Sequence, residues 1–384
     1  MGHEMNARDY LRELLPRIVA AKMAYRGLRR PSQPITLTFS VTNRCQSRCL
    51  TCKIWRLYHD QPELRGQELT LAEIERIFAS LGHIYFFNVS GGEPFLREDL
   101  AEIFRLALRH LTPCVLHIPT NALWPQRIEE TTASILRLMA EAGYDAPLTV
   151  KPSLDGVGAK HDEIRGVPGN FQRVLETLGR LKSLQGRFPN LHVEVGTVIS
   201  RANMGEMEAI ADYVHTLGVE SYRHEIAEQR AELFNRSDPI TPSAEEYARL
   251  TEHFARRIRE NIARKRELAK ITESLRLVYY EYAPCILREG RQVLPCYAGL
   301  TNAHINPYGQ VWPCCVLGYD QPLGELRQAD YDFNRVWNSP QAATVRAYVK
   351  AGRCACPLAN QVYSNILCDL KATLKVLLNL MQLR

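Results

Sequence analysis

Three cysteines crowd into eight residues near the start of this chain: Cys45, Cys49 and Cys52, spaced C-x3-C-x2-C. They follow an apolar run, Ile35–Phe39, with Thr42-Asn43 as the turn between. The spacing predicts one short loop at the C-terminal end of a strand, with three thiolates converging on it. A closed structural zinc or iron–sulfur site takes four protein ligands. Three leave a coordination position open, which metal-assisted chemistry requires. Spacing alone leaves two readings, an iron–sulfur cluster with one open iron or a zinc knuckle completed from elsewhere. Thiolates suit both metals.

Length and charge narrow the setting. The chain has 384 residues, room for about two to three domains and a large core. Its net charge is +6 and its pI about 8.7, which admits an anionic ligand or membrane surface but does not argue for nucleic acid. The sequence shows no secretory h-region and no apolar run of ~18 residues, so a cytoplasmic place is expected. In a reducing compartment its eleven cysteines point to metal or redox chemistry rather than disulfides.

Residues 35 to about 227 read as alternating strands and helices. Thr70-Leu71-Ala72-Glu73 is a capping box, followed at helical spacing by Ile74, Ile77, Phe78 and Leu81. Strands are expected at Ile84–Val89, Val115–Ile118, Leu148–Pro152, His192–Ile199 and Ser221–Ile226. Helices are expected at Arg97–Arg109, Glu129–Ala142, Phe171–Leu184 and Glu206–Leu217. With the first strand this gives six strands and five crossovers. Their short apolar runs suit a parallel sheet buried on both faces, curled into part of an α/β barrel. The organisation that follows is an amphipathic basic helix (1–30), the barrel core (31–235), a helical linker or lid (236–283), a small cysteine-rich domain (284–370) and a second amphipathic helix (371–384).

The second strand ends in Ser90-Gly91-Gly92-Glu93-Pro94. Glycines at a strand end let a ligand approach the backbone, and a carboxylate beside them suits an ammonium group. Together with the three-cysteine loop this resembles the radical S-adenosylmethionine (AdoMet) superfamily, and the likeness covers most of the chain. Thr120-Asn121 resembles a further strand-end motif of that family. Ser153-Leu154-Asp155-Gly156 and His161–Gly166 resemble its subgroup with a SPASM or twitch extension. The resemblance implies a partial (α/β)6 TIM-like barrel in which Cys45, Cys49 and Cys52 hold three irons of a 4Fe-4S cluster. The fourth iron would chelate AdoMet, whose reductive cleavage gives a 5′-deoxyadenosyl radical that abstracts a hydrogen atom from substrate. By likeness Gly91, Gly92 and Glu93 meet the methionyl amine, Ser153 and Arg165 its carboxylate, and Asp155 shapes its turn. The residue before the third cysteine, usually aromatic in the family, is Thr51 here, with Trp55 further on. Adenine packing is therefore not carried over.

The C-terminal cysteines give a second pattern. Cys296, twelve residues, Gly309, four residues and Cys314 match the opening of a SPASM or twitch domain. Around Pro307-Tyr308-Gly309 the spacing predicts a hairpin, His304–Asn306 with Gln310–Trp312. Cys354 and Cys356 follow a helical stretch, Gln341–Val349. These four cysteines could close one auxiliary 4Fe-4S cluster, with zinc as the alternative. The longer cysteine run of a two-cluster SPASM domain is absent. Cys315 should point away from Cys314, since neighbours on a strand alternate. Cys285 and Cys368 remain alternative ligands, and Cys114 reads as a small buried hydrophobe.

Near the end of the sixth strand Glu225 is the candidate for touching substrate, with His224, Arg223 and Arg230 close in sequence. His117 could face the core. Leu11, Leu14, Leu15 and Ile18 form an apolar stripe among Arg8, Arg12, Arg17, Lys22, Arg26, Arg29 and Arg30, with a kink expected at Pro16. Leu374, Leu377, Leu378 and Met381, widened by Val376, Leu380 and Leu383, form another. Either stripe could dock on the protein's own core or lie peripherally on the inner face of a membrane. The expected partners are an electron donor such as flavodoxin or ferredoxin and a peptide, small-molecule or lipid substrate. A non-catalytic metalloprotein is the alternative from another class, and the intact cysteine triad and Glu93 argue against it.

Overall fold

The structure is a computed structural model and describes residues 7–262 and 267–382. Its strands are β1 (Thr36–Thr42), β2 (Phe86–Gly91), β3 (Val115–Thr120), β4 (Leu148–Pro152), β5 (Leu191–Ile199), β6 (Ser221–Ile226), β7 (Asn302–Ile305), β8 (Gln310–Trp312) and β9 (Gly324–Glu325). Its helices are α1 (Ala7–Tyr25), α2 (Leu57–Asp60), α3 (Leu71–Leu81), α4 (Leu100–His110), α5 (Pro125–Glu141), α6 (Ala159–Arg165), α7 (Asn170–Gln185), α8 (Met207–Thr216), α9 (Ala244–Asn261), α10 (Glu267–Glu289), α11 (Phe333–Trp337), α12 (Pro340–Lys350), α13 (Ala359–Cys368) and α14 (Leu370–Gln382).

One sheet runs in the order β6-β5-β4-β3-β2-β1-β7-β8-β9. Strands β1 to β6 are parallel and joined by helical crossovers, the expected partial barrel. The hairpin of β7 and β8 also forms as expected. It does not stand apart, because β7 pairs in parallel with β1, from Thr36 opposite Asn302 to Phe39 opposite Ile305. The C-terminal cysteines are thereby attached to the same edge that carries the N-terminal cysteine loop.

Local sequence accounts for the elements. In α3 the Thr70 hydroxyl accepts from the Glu73 amide while the Glu73 carboxylate accepts from the Thr70 amide at 2.7 Å. Such caps contribute about 1 kcal/mol. Phe78 then packs edge-on against Phe39 and Phe87, with ring centres 5.5 and 5.7 Å apart.

The strands differ from the expectation of two apolar faces. Leu37, Phe39, Phe87, Val89, Leu116, Ile118, Val150 and Val193 form the fully buried apolar face. The alternate positions carry Thr38, Asn88, His117, Thr149, Lys151, Glu194 and Arg223. Asn88 Nδ2 donates to Thr38 while its Oδ1 accepts from His117 Nδ1 at 2.7 Å, and Arg223 pairs with Glu194 at 2.7 Å. A barrel interior lined this way is built to meet a polar ligand, so period-2 alternation replaces the continuous apolar run. The expected core-facing His117 lies in this network, its pKa pushed down to about 3 by burial and then by Lys151.

The segment read as a linker or lid forms α9 and the first part of α10, which pack on each other and bury Tyr247, Phe254, Tyr279 and Tyr280. Helix α10 continues through Pro284 to Glu289. Helix α1 likewise continues through Pro16.

Candidate active site

The cysteine loop after β1 is held by backbone bonds from three directions. On the β2 side, the Gly92 amide donates to the Thr42 carbonyl and the Glu93 amide to the Arg44 carbonyl, both at 2.7 Å. A Cβ on Gly91 or Gly92 would lie 2.2 Å from those same carbonyl oxygens. What approaches these glycines most closely is thus the chain's own cysteine loop, which explains why no side chain is present there. From α6, the Arg165 and Ile164 carbonyls accept from the Arg48 and Leu50 amides, each at 2.9 Å. After β6, the Leu233 carbonyl accepts from Lys53, and Asn235 Nδ2 donates to the Thr51 carbonyl at 2.7 Å.

Glu93 is buried beneath this loop. Its carboxylate accepts from the Asn121 amide at 2.7 Å, the Thr120 hydroxyl at 2.8 Å and the Phe95 amide at 3.2 Å. Burial still raises its pKa to about 7 against those bonds. Three bonds leave an ionised carboxylate about one acceptor site, enough for a single further N–H. Asn121 Nδ2 lies 3.8 Å from the Cys45 sulfur and Arg165 Nη1 3.4 Å from the Cys49 sulfur. Arg165 Nε also pairs with Asp155 at 2.9 Å, while its buried Nη2 has no hydrogen-bond partner. Asp155 also accepts from the Val198 amide of β5 at 2.8 Å, which ties the segment after β4 to its neighbouring strand. Ser153 stands at the end of β4, bridged to Gly196. Thr51 is buried and Trp55 half-buried with the Arg48 guanidinium 5.8 Å from its ring.

The sixth strand sorts its candidates by face. Glu225 reaches into a cavity of about 130 Å³ that also touches Cys49, Cys52 and Arg165. Its nearest cation is Lys151, 3.9 Å away. His224 faces the other way, stacked on Tyr280 and hydrogen-bonded to its hydroxyl at 2.8 Å. Burial, then Arg276, drives its pKa well below the usual range, and it serves the core. Glu228 was not singled out by sequence. It lines the same cavity, is buried, and its Oε1 has no partner. Burial raises its pKa to about 7 against the pull of Arg230. No local pattern marks it, because the turn after β6 that carries it is set by long-range contacts.

The far wall of this cavity is Pro357, Leu358 and Ala359, directly after Cys356. Cys296, Cys314, Cys354 and Cys356 gather there with Leu317, Val349 and Leu358. Cys315, in the turn that follows β8, packs at the margin of this group and meets Arg230 Nη1. Beside it lie Glu232 and His304, whose ligand atoms fall within 4.8 Å of one another and of the Cys315 sulfur. Cys368 packs in a separate cluster with Ala21, Tyr297 and Leu300 beneath α1. Cys285 donates to the Glu281 carbonyl one turn back along α10. Cys114 is half-buried.

Both cysteine sets fit iron–sulfur clusters. All of their thiols are free of disulfides. Burial, then Cys49, holds the Cys45 thiol well above its usual pKa, and burial raises Cys52 and Cys296 to about 12. Buried thiols of this kind become thiolates when a cation coordinates them. The orphaned Arg165 Nη2 offers, beside the first set, a donor suited to a carboxylate.

Comparison with known proteins agrees. Residues 39–214 match the family model described as the radical SAM superfamily, and residues 296–357 match SPASM, an iron-sulfur cluster-binding domain. The antilisterial bacteriocin subtilosin biosynthesis protein AlbA of Bacillus subtilis is 24% identical over 317 residues, 80% of this chain and 60% of that protein. The chain therefore spans less than two thirds of that relative's length. The mycofactocin maturase MftC of Mycolicibacterium smegmatis is 26% identical over 349 residues, 89% of this chain and 78% of that protein. Among solved structures, Streptococcus suis SuiB bound to the precursor peptide SuiA shares the fold. Its TM-score is 0.56 at 16% identity, over 90% of this chain and 73% of that one.

Proposed function

The chain belongs to the radical AdoMet superfamily and carries its SPASM domain, and on that premise we propose that it modifies a peptide in the cavity between its two cysteine sets. We assign Cys45, Cys49 and Cys52 to the cluster that binds AdoMet, and Cys296, Cys314, Cys354 and Cys356 to one auxiliary cluster. With AdoMet bound, the first cluster supplies hydrogen-atom abstraction through one-electron reductive cleavage of the sulfonium. Arg165 presents its free Nη2 to the AdoMet carboxylate, and Glu93 offers its remaining acceptor site to the amine. Asn121 and Arg165 donate to thiolate sulfurs and so help set the cluster's potential. Pro357 to Ala359 close the cavity from the auxiliary side and exclude water.

Glu228 is the proposed acceptor of the proton that the substrate releases after losing a hydrogen atom, the accompanying electron being one that the auxiliary cluster would take up, and Glu225 orients the substrate. The carrying observation is the shared cavity, which reaches Cys49 and Cys52 at one end and the residues after Cys356 at the other. Its two carboxylates suit the N–H groups and cations of a peptide. The names of the relatives, a bacteriocin biosynthesis protein, a mycofactocin maturase and a precursor-peptide complex, favour a peptide over a lipid substrate. The electron is proposed to come from a flavodoxin- or ferredoxin-like protein.

The test is direct. Short peptides encoded beside this gene are synthesised and incubated anaerobically with reconstituted enzyme, AdoMet and dithionite. One of them should change mass and raise 5′-deoxyadenosine formation above the uncoupled rate. Uncoupled cleavage alone, with a mass change only in small molecules or lipids, would overturn the peptide reading and leave the family assignment standing.

A further inference from the structure

The two terminal helices leave an apolar surface uncovered. Among the described residues, nine of the fourteen exposed large hydrophobic side chains lie on α1, the turn after it, or α14. Helix α14 turns Ala372, Val376 and Leu380 toward the core. The expected stripe of Leu374, Leu377, Leu378 and Met381, joined by Leu370, faces outward instead, between 42% and 74% exposed. On α1, Ile18 and Ala21 pack inward beside Tyr297, while Leu15, Val19 and Met23 form an exposed row at a spacing of four. The side chains of Arg8, Leu11 and Leu383 lie outside the described residues. Both helices pack on α13. Lys22 lies close enough to Cys368, at the end of α13, for its charge to act on that thiol, two residues before Leu370.

We propose that this surface binds an anionic lipid bilayer, holding the enzyme peripherally. Charge chooses the occupant. Residues 12–30 carry Arg12, Arg17, Lys22, Arg26, Arg29 and Arg30 against one carboxylate, Glu13, which is engaged by His83. Residues 370–381 add Lys371 and Lys375 and no acid. A second copy would bring like charges together. The α14 row is aliphatic throughout, without the Trp, Tyr or Arg that anchor protein interfaces. Leucine and methionine on one side and cations around them are the pattern of helices lying in a membrane interface. No described helix is long and apolar enough to cross a membrane, so the contact would be one of surface.

The experiment uses the reconstituted full chain and sedimentation with vesicles. One set is phosphatidylcholine alone, the other phosphatidylcholine mixed with phosphatidylglycerol. Binding should require the anionic lipid and weaken with salt. L374Q/L378Q should weaken it at least about tenfold through lost apolar burial. R26E/R29E should also weaken it by about tenfold or more through charge. Iron content and circular dichroism, expected unchanged because all four positions are exposed, confirm folding. Absence of binding, or binding indifferent to anionic lipid, overturns the proposal. So does light scattering that finds a dimer which L374Q/L378Q dissociates, since a second copy would then cover the row.

Discussion

The two cysteine sets lie on either side of one cavity, which Cys49 and Cys52 line directly and the second set reaches only through Pro357 to Ala359, and they are built by opposite means. Cys45, Cys49 and Cys52 are close in sequence, and their loop is tied by backbone bonds to β2, α6 and the turn after β6. Two of their sulfurs meet side-chain N–H groups, from Asn121 and Arg165. The auxiliary cysteines come from positions 296 to 356 and are brought together by packing. Their walls are Leu317, Val349 and Leu358, and a side-chain N–H reaches the Cys356 sulfur from Gln292, at 3.8 Å. A cluster on the first set would be tuned by hydrogen bonds and charge, one on the second by burial. The contrast teaches that local spacing specifies the reactive site, whereas tertiary packing specifies its companion.

The most drastic way to break the comparison is to remove the local set. Replacing Cys45, Cys49 and Cys52 together with Ala should abolish 5′-deoxyadenosine formation under dithionite. If the sets are independent, iron should fall from about eight to about four per chain, the auxiliary cluster surviving. Loss of all iron would mean that the second set depends on the first. A wild-type value near four with one zinc would instead make the auxiliary site a zinc site.

A smaller effect is expected inside the cavity. Glu228→Gln should lower product formation by about 10²–10⁴-fold, the usual range for a lost general base, while 5′-deoxyadenosine still forms. The raised pKa of about 7 fixes the sign. A base must be ionised, so wild-type product formed per 5′-deoxyadenosine, a ratio that titration of Glu93 at the AdoMet amine does not set, should climb as pH rises through 7 and level off above it. The variant's profile should be flat there. If E228Q keeps the climb, the proton acceptor lies elsewhere, and Glu225 is the next to replace.

How much of this was legible follows from the same contrast. The cysteine loop, Gly91-Gly92-Glu93 and the alternation of strands and helices are local patterns, and the structure places them in one sheet. The pairing of β7 with β1 was not legible, since a parallel pair between residues 36 and 302 leaves no local mark. The polar interior face of the barrel was missed because strands such as Val115–Thr120 were read for hydrophobicity alone rather than for what stands at alternate positions. Glu228 was missed for the first reason. His224 and Glu225 are consecutive on the strand, and that is enough to send one into the core and the other into the cavity.

The finest test separates neighbours in the second region. Cys314 lies with the auxiliary group, while Cys315 faces Arg230, Glu232 and His304. Cys314→Ala should remove the auxiliary cluster, with iron falling by about four. Cys315→Ala should leave iron unchanged, because its sulfur is engaged by the Arg230 guanidinium. It is not silent, however. Arg230 is buried and meets both the Cys315 sulfur and, at 3.6 Å, Glu232. Losing one partner of a buried group costs about 1–3 kcal/mol, so thermal stability should drop modestly at constant iron content. Equal iron loss from C314A and C315A would show that both sulfurs reach the cluster, and that the contact with Arg230 does not hold Cys315 away from it.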